Sequence, residues 1–106
     1  MHSRNRPRIG VDYAVTFTGD HLSGGGTLNN LTIAGAEIHS SVDCPIDAHL
    51  CLNIQSSGAR PPIVVTLAVV RWKQGGRFGV EFVRFEGHSK QQLEDMLNQR
   101  DSSPLS

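Results

Sequence analysis

Regular alternation of apolar and polar residues is the feature of this chain that most constrains its fold. Residues 11–17 (VDYAVTF), 48–55 (AHLCLNIQ) and 77–83 (RFGVEFV) place apolar or aromatic side chains at every second position. A two-residue period is typical of a β-strand with one buried face. The positions predicted to face inward are Val11, Tyr13, Val15, Phe17, Leu50, Leu52, Ile54, Phe78, Val80 and Phe82.

Residues 62–77 carry the signal of a β-hairpin. Residues 62–72 (PIVVTLAVVRW) are apolar on both faces, as expected of a strand covered on both sides. Residues 73–77 (KQGGR) are predicted to close a hairpin after it, with Gly75 and Gly76 both supplying positive φ. The sequence therefore predicts that the last two strands pair with each other.

The segment between residues 18 and 40 gives weaker signals. Residues 27–31 (TLNNL) and 36–40 (AEIHS) are short strand candidates. Residues 18–26 (TGDHLSGGG) are predicted to form a long flexible turn, because glycine runs favour turns. In total, six or seven short strands are expected.

The C-terminal segment, residues 89–100, is the part with a helical pattern. Ser89 followed by Gln92 is predicted to form a capping box. Apolar residues then recur at i, i+3 and i+4, and this stripe can dock on the strands: Leu93, Met96 and Leu97. Residues 101–106 are predicted to be a disordered tail. The residues alone thus predict an antiparallel barrel or sandwich with one C-terminal helix.

Length and composition exclude several classes of protein. A chain of 106 residues is expected to form a single domain. The chain contains no apolar stretch long enough to cross a bilayer, and its basic N-terminus passes directly into strand-like alternation, unlike a signal peptide. We therefore expect a cytoplasmic protein without membrane insertion.

No arrangement of residues indicates catalysis or a metal site. Cys44 and Cys51 lack zinc-site spacing; a disulfide stays open, although a reduced pair is favoured. Glu37 and His39 share a strand face, which is most simply a solvated polar face. The SGGGT run lacks the lysine of a phosphate-binding loop. The sequence therefore predicts a protein that is not an enzyme and needs no cofactor.

Two polar stretches point to ligand binding. Arg4, Arg6 and Arg8 precede the first strand in a chain whose net charge is zero. Pro7 disfavours a helix there, and Arg4 and Arg8 on an extended chain lie about 13 Å apart. Arginine binds phosphate or a guanine edge with two parallel hydrogen bonds, although such a segment is also compatible with a solvated basic tail.

The second polar stretch, residues 29–38 (NNLTIAGAEI), lies between two predicted strands. Its Asn30 offers donors and acceptors, Thr32 a hydroxyl, and Gly35 a backbone that can approach a ligand or take positive φ. Taken alone, the stretch is also compatible with an ordinary polar turn.

Together these stretches resemble the PilZ domain, the bacterial receptor for cyclic di-GMP. Arg4 and Arg8 match the family's Arg-x-x-x-Arg motif, and Asn30, Thr32 and Gly35 match its Asp/Asn-x-Ser-x-x-Gly motif. Residues 79–82 (GVEF) and the hairpin followed by a helix are also similar to the family pattern. The resemblance covers the chain from Arg4 to about residue 100.

The resemblance implies a fold and a domain organisation. It implies an all-β, six-stranded antiparallel β-barrel of split-barrel type with a C-terminal α-helix. Residues 1–10 would be a flexible, Arg-rich ligand-binding segment, residues 11–88 the barrel, residues 89–100 the helix and residues 101–106 the tail.

The resemblance also implies roles for individual residues. Arg4 and Arg8 would grip guanine edges and phosphates, with Arg6 as a third cationic contact or a solvated residue. Asn30 would hydrogen-bond the guanine edge, while Thr32 and Gly35 would contact the ligand. Trp72 is placed where some members pack a residue on guanine, and a core or hairpin-flank role is an equal alternative.

Three departures from the family pattern affect these expectations. Thr32 replaces the usual Ser and keeps the hydroxyl, and Ala34 stands where a second Gly is frequent. Ser3 and Asn5 flank Arg4, whereas many members have adjacent arginines. The number of bound ligands, one or a stacked pair, therefore stays open.

The expected function is that of a single-domain receptor or adaptor. Cyclic di-GMP would order the arginine segment and change a docking face for a protein effector acting in motility, adhesion or polysaccharide export and hence in biofilm formation. One alternative is a PilZ-like protein–protein interaction module that binds no ligand. The other is a barrel that binds single-stranded nucleic acid, which the neutral net charge and six aromatic residues disfavour.

Overall fold

The strands of this chain close into a six-stranded antiparallel β-barrel followed by one helix. The structure, a computed structural model, describes residues 12–56 and 60–101, with side chains to residue 98. Arg4, Arg6, Arg8, Val11 and residues 102–106 lie outside the described residues. The predicted tail, residues 101–106, begins one residue too early, since Asp101 is helical. The elements are β1 (Tyr13–Thr18), β2 (Ser23–Asn29), β3 (Gly35–His39), β4 (His49–Gln55), β5 (Ile63–Gln74), β6 (Arg77–Phe85) and α1 (Ser89–Asp101).

The strand order is β1-β2-β3-β6-β5-β4, with β4 pairing back to β1. Each pairing is antiparallel. The barrel predicted from the family resemblance is therefore confirmed, and the sandwich alternative is wrong. Closure leaves no edge strand among the six strands of the described residues, which is a common solution for a small β domain.

The alternating residues identified in the sequence fill the barrel. Val15 and Phe17 of β1 are buried, and Phe17 meets Phe78 of β6 edge to face, with ring centroids 5.7 Å apart. The other predicted inward positions of β4 and β6 are also buried, namely Leu50, Leu52, Ile54, Val80 and Phe82. Tyr13 is half-buried. The two-residue period thus correctly predicted which face of each strand forms the core.

β5 is covered on both faces along only part of its length. Its first half packs against the barrel interior and α1, whereas residues 71–74 at its end are exposed. The hairpin to β6 follows as predicted, but only one of its glycines needs positive φ. Gly75 has a φ of 61°, and Gly76 lies outside the left-handed region.

The predicted flexible turn at residues 18–26 is wrong at its second half. Gly24, Gly25 and Gly26 lie within β2, opposite Phe17, Thr16 and Val15 of β1. A Cβ at Gly26 would overlap the carbonyl oxygen of His39. Gly26 is therefore needed because β2 passes very close to the backbone of β3 at this point, a role that glycine can fill inside a strand.

The helix docks as predicted, but its predicted capping box is absent. Leu93, Met96 and Leu97 are buried against the barrel. The Gln92 N–H donates to the His88 carbonyl oxygen, so His88 is the capping position and Ser89 is already in the first turn. The Ser89 hydroxyl instead accepts from the Val64 N–H at 2.9 Å, and the Gln92 side chain donates to the Pro61 carbonyl at 2.6 Å. Both side chains thus tie α1 to the start of β5.

Candidate functional site

A groove on the outer surface of β3, β6 and β5 contains all four predicted ligand-binding residues that the structure describes. Glu37, Gly79 and Trp72 are register partners across these three strands, on the face opposite the buried Ile38 and Phe78. The loop between β2 and β3 closes one side. The groove has a volume of about 420 Å³ and is lined by Asn30, Thr32, Ala34, Gly35, Ala36, Glu37, Arg71, Trp72, Gly79, Val80 and Glu81.

The hydroxyl of Thr32 shapes the loop between β2 and β3. Its Oγ1 accepts hydrogen bonds from the Ala34 N–H at 3.0 Å and the Gly35 N–H at 3.1 Å. The Thr32 N–H in turn donates to the Gly35 carbonyl oxygen at 2.9 Å. A side-chain hydroxyl that accepts from N–H groups two and three residues ahead is a common way to build a tight turn. Thr32 therefore stabilises the conformation of the loop through its hydroxyl, independently of any contact with a ligand.

Gly35 is required by packing and does not adopt positive φ. A Cβ at this position would overlap the carbonyl oxygen of Val80 on β6, and positive φ in this loop occurs at Asn30, with a φ of 50°. Of the two roles predicted for Gly35, positive φ is therefore wrong, and close approach to a ligand stays a prediction. The close approach that the structure shows is to a neighbouring strand. Asparagine tolerates the left-handed region better than most other residues, which suits Asn30 to its position.

Trp72 belongs to the groove wall and is not a core residue. Its side chain is 41% exposed. The indole lies over Gly79, its register partner on β6, where an added Cβ would overlap the ring. Because Gly79 has no side chain, the indole packs directly on the backbone of β6. Part of the ring surface stays exposed to the groove. The core alternative for Trp72 is therefore wrong.

Glu37 is a buried acid at the base of the loop. It is only 9% exposed, so the interpretation of Glu37 and His39 as a solvated face is wrong for Glu37. Its Oε1 accepts from Asn30 Nδ2 at 2.7 Å, while Oε2 lies 3.0 Å from Arg77 Nη1 and 3.1 Å from His39 Nε2. The hydrogen bond from Asn30, and then Arg77, lower the pKa of this carboxyl below 4.5, against the effect of burial. Glu37 is thus ionised at neutral pH.

The charges along the groove are paired with one another. Arg71 Nη2 lies 2.7 Å from Glu81 Oε1, and Arg71 Nη1 lies 3.8 Å from Asp47. Among the described residues that line the groove, Arg71 is the sole cation. The described residues of the groove wall therefore supply hydrogen-bonding groups and an aromatic surface. They supply little unpaired positive charge that could bind an anion.

The structure brings together four residues that the sequence predicted as ligand-binding. Asn30, Thr32, Gly35 and Trp72 line one groove, whereas Arg4, Arg6 and Arg8 fall outside the described residues. Sequence reasoning missed Glu37, Arg71, Glu81 and Gly79 as parts of the same site. Glu37 lies only two residues after Gly35, so its position close to the motif is visible in the sequence. Its burial is not, because its partner Arg77 lies forty positions away.

The described part of the chain contains neither a metal site nor a disulfide. Within residues 12–56 and 60–101, no cluster of His, Cys, Asp and Glu could hold a metal ion. Cys44 is buried and Cys51 is exposed, and both are free thiols, so the disulfide that the sequence left open is not formed. No helix in the described part of the chain is long and apolar enough to cross a membrane.

Comparison with known proteins agrees with this architecture. The Bacillus subtilis inhibitor of motility (MotI/DgrA) superposes with a TM-score of 0.76 at 15% sequence identity, over 98% of this chain and 53% of that one. The chain thus spans about half the length of that structure, and a likeness at this identity shows the fold alone. No curated protein matches the sequence.

A model of the PilZ domain matches residues 2–99. The matched range begins before the Arg-rich segment and extends through nearly all of α1. The chain therefore belongs to the PilZ domain family.

Proposed function

We propose that this chain binds cyclic di-GMP in the groove beside the β2–β3 loop and acts as a cytoplasmic receptor or adaptor. PilZ domains are non-catalytic binding modules and are commonly receptors for this second messenger. The observation that carries the proposal is the convergence of Asn30, Thr32 and Gly35 with Trp72, which lies about forty positions later, on one groove. In the proposed complex, Asn30 bonds the guanine edge and Trp72 packs on a base.

The charge of the groove supports a role for the arginine segment. Cyclic di-GMP carries two phosphates, and the described wall offers only Arg71, which is paired with Glu81. Arginine forms strong, charge-assisted hydrogen bonds to phosphate. In the proposed complex Arg4 and Arg8 supply the missing cations, with Arg6 as a further contact.

Chain connectivity is compatible with that role. Tyr13 is paired with Leu28, so β1 begins at the end of the barrel where β2 leads into Asn30. Paired strands lie about 4.8 Å apart. At about 3.3 Å per residue, Arg8 can reach about 13 Å from Asp12 and Arg4 about 26 Å. Both distances are sufficient to bring an arginine over a neighbouring groove.

The proposed output is a change of surface. Ligand binding favours whichever arrangement of the arginine segment binds the ligand more tightly, and the segment over the barrel creates or hides a docking face for a protein effector. The similar fold of a protein named as an inhibitor of motility makes a motility pathway a reasonable first place to look for that effector.

Isothermal titration of the whole chain with cyclic di-GMP tests this proposal. We expect saturable binding by the wild type and at least about tenfold weaker binding by Arg8→Ala, because a hydrogen bond to a charged group contributes about 1.5–3 kcal/mol. Arg84→Ala is the matched control, since Arg84 is exposed and does not line the groove. Wild-type protein that gives no heat and shows no binding in an orthogonal assay would contradict the proposal and favour a ligand-independent interaction module.

A further inference from the structure

We propose that Glu37 is a positioning residue that fixes the amide of Asn30 so that the groove selects guanine over adenine. This inference rests on the proposed function, because it concerns which base the same groove accepts. It goes further in assigning selectivity to a buried carboxylate that lies outside both ligand-binding motifs. The proposed selectivity depends on the direction of one hydrogen bond, between Asn30 and Glu37.

The carboxylate of Glu37 determines which way the Asn30 amide faces. An ionised carboxylate only accepts hydrogen bonds, whereas an asparagine amide has a donor end and an acceptor end. The terminal atom of Asn30 that lies 2.7 Å from Glu37 Oε1 must therefore be the nitrogen. The reverse orientation would bring two oxygen acceptors into contact, with no proton between them.

Glu37 itself has little freedom to move or to change its charge. Arg77 and His39 hold Oε2, which leaves Oε1 for Asn30. The side chain is almost fully buried, and removing one partner of a buried charged group is costly. The Asn30 backbone is also held, since its N–H donates to Asn29 Oδ1 at 2.9 Å. Hydrogen bonds therefore fix both the backbone and the side-chain amide of Asn30.

The remaining atom of the amide is available to a ligand. Asn30 lines the groove, and its Oδ1 accepts no hydrogen bond from any residue in the described part of the chain. A fixed acceptor suits the guanine edge, where the N1–H and the N2 amino group are adjacent donors. The corresponding edge of adenine places the N1 acceptor beside its amino group, so one adenine atom would face Oδ1 unfavourably. Sites built around such polar groups reject a mismatched ligand strongly.

The substitution Glu37→Gln reverses this arrangement without changing the size of the side chain. The Gln oxygen is expected to face the Arg77 guanidinium, which leaves the Gln NH2 group beside Asn30. Asn30 would then turn its oxygen inward and present its NH2 group to the groove. Glu86→Gln is the matched control, because it makes the same chemical change at an exposed glutamate that does not line the groove.

Binding of cyclic di-GMP and cyclic di-AMP should be measured for the wild type and both variants. We expect the preference of the wild type for cyclic di-GMP to fall by about tenfold or more in Glu37→Gln and to persist in Glu86→Gln. The NMR signals of the Asn30 side-chain NH2 group provide a readout without ligand, and these should shift in Glu37→Gln alone. Thermal unfolding of each variant shows whether the barrel stays folded.

The outcomes separate this inference from the proposed function. A Glu37→Gln variant that stays folded and keeps the wild-type preference for cyclic di-GMP would overturn the role of Glu37 and leave the receptor proposal intact. An unchanged Asn30 NH2 signal in that variant would do the same. Wild-type protein that binds neither dinucleotide would overturn both the receptor proposal and the selectivity proposed here.

Discussion

At the scale of single residues, contacts within the protein fix the conformation of the loop between β2 and β3 without a ligand. The Thr32 hydroxyl accepts from two backbone N–H groups, and Gly35 lies where Val80 leaves no space for a side chain. The motif residues are thus also the residues that shape the loop. A loss of ligand binding on mutation of either one has to be separated from a loss of loop structure.

Thr32 allows that separation. Thr32→Ser keeps the hydroxyl and should leave the free energy of unfolding within about 0.5 kcal/mol of the wild type, with ligand binding preserved or strengthened. Thr32→Val has nearly the same shape but leaves the Ala34 and Gly35 N–H groups without their acceptor, which should cost about 1–2 kcal/mol. Urea unfolding with hydrogen exchange at these two amides checks the difference. Equal stability of the two variants would contradict the role assigned to the hydroxyl.

Individual site residues differed in how far the sequence could reveal them. Asn30, Thr32 and Gly35 were found because they lie close together in a recognisable motif. The burial of Glu37 could not be read from its neighbours, since it depends on Arg77 and on the turn that brings Asn30 back over β3. The sequence does not distinguish between the two roles predicted for Trp72, because the packing of its indole on Gly79 is a contact between different strands.

At the scale of elements, the sequence predicted strands more reliably than it predicted what glycine does inside them. The alternation in β1, β4 and β6 identified their buried faces correctly. The glycines of β2 were assigned to a turn, because the close approach of His39 to Gly26 is a feature of strand pairing that composition does not show. The predicted capping box of α1 does not form, because the Ser89 hydroxyl instead accepts a hydrogen bond from Val64 of β5.

The β5–β6 turn offers a matched pair of glycines. Gly75→Ala should destabilise the protein by about 1–2 kcal/mol, because a non-glycine residue is strained in the left-handed region and Gly75 has a φ of 61°. Gly76→Ala should be neutral or slightly stabilising, because φ there is outside that region and the nearest atom to a new Cβ is 3.9 Å away. Thermal or urea unfolding of both variants measures the contrast. A Gly76→Ala variant that is the less stable of the two would contradict this account of the turn.

At the scale of the whole molecule, closure of the barrel places the site. Strand order puts β3, β6 and β5 side by side, and this brings Glu37, Gly79 and Trp72 into one row. The same order brings the start of β1 to the end of the barrel from which the β2–β3 loop emerges. The barrel itself was predictable from the family resemblance, whereas this row required the register of three strands.

NMR mapping of cyclic di-GMP on the labelled, full chain tests the central claim most directly. We predict that the ligand shifts the Asn30 side-chain NH2 group, the Thr32 and Gly35 amides and the Trp72 indole N–H. The amides of Gly75 and Gly76, which do not line the groove, should stay in place. Shifts confined to another face of the barrel, or no shift at a ligand concentration well above that of the protein, would contradict the assignment of this groove as the binding site.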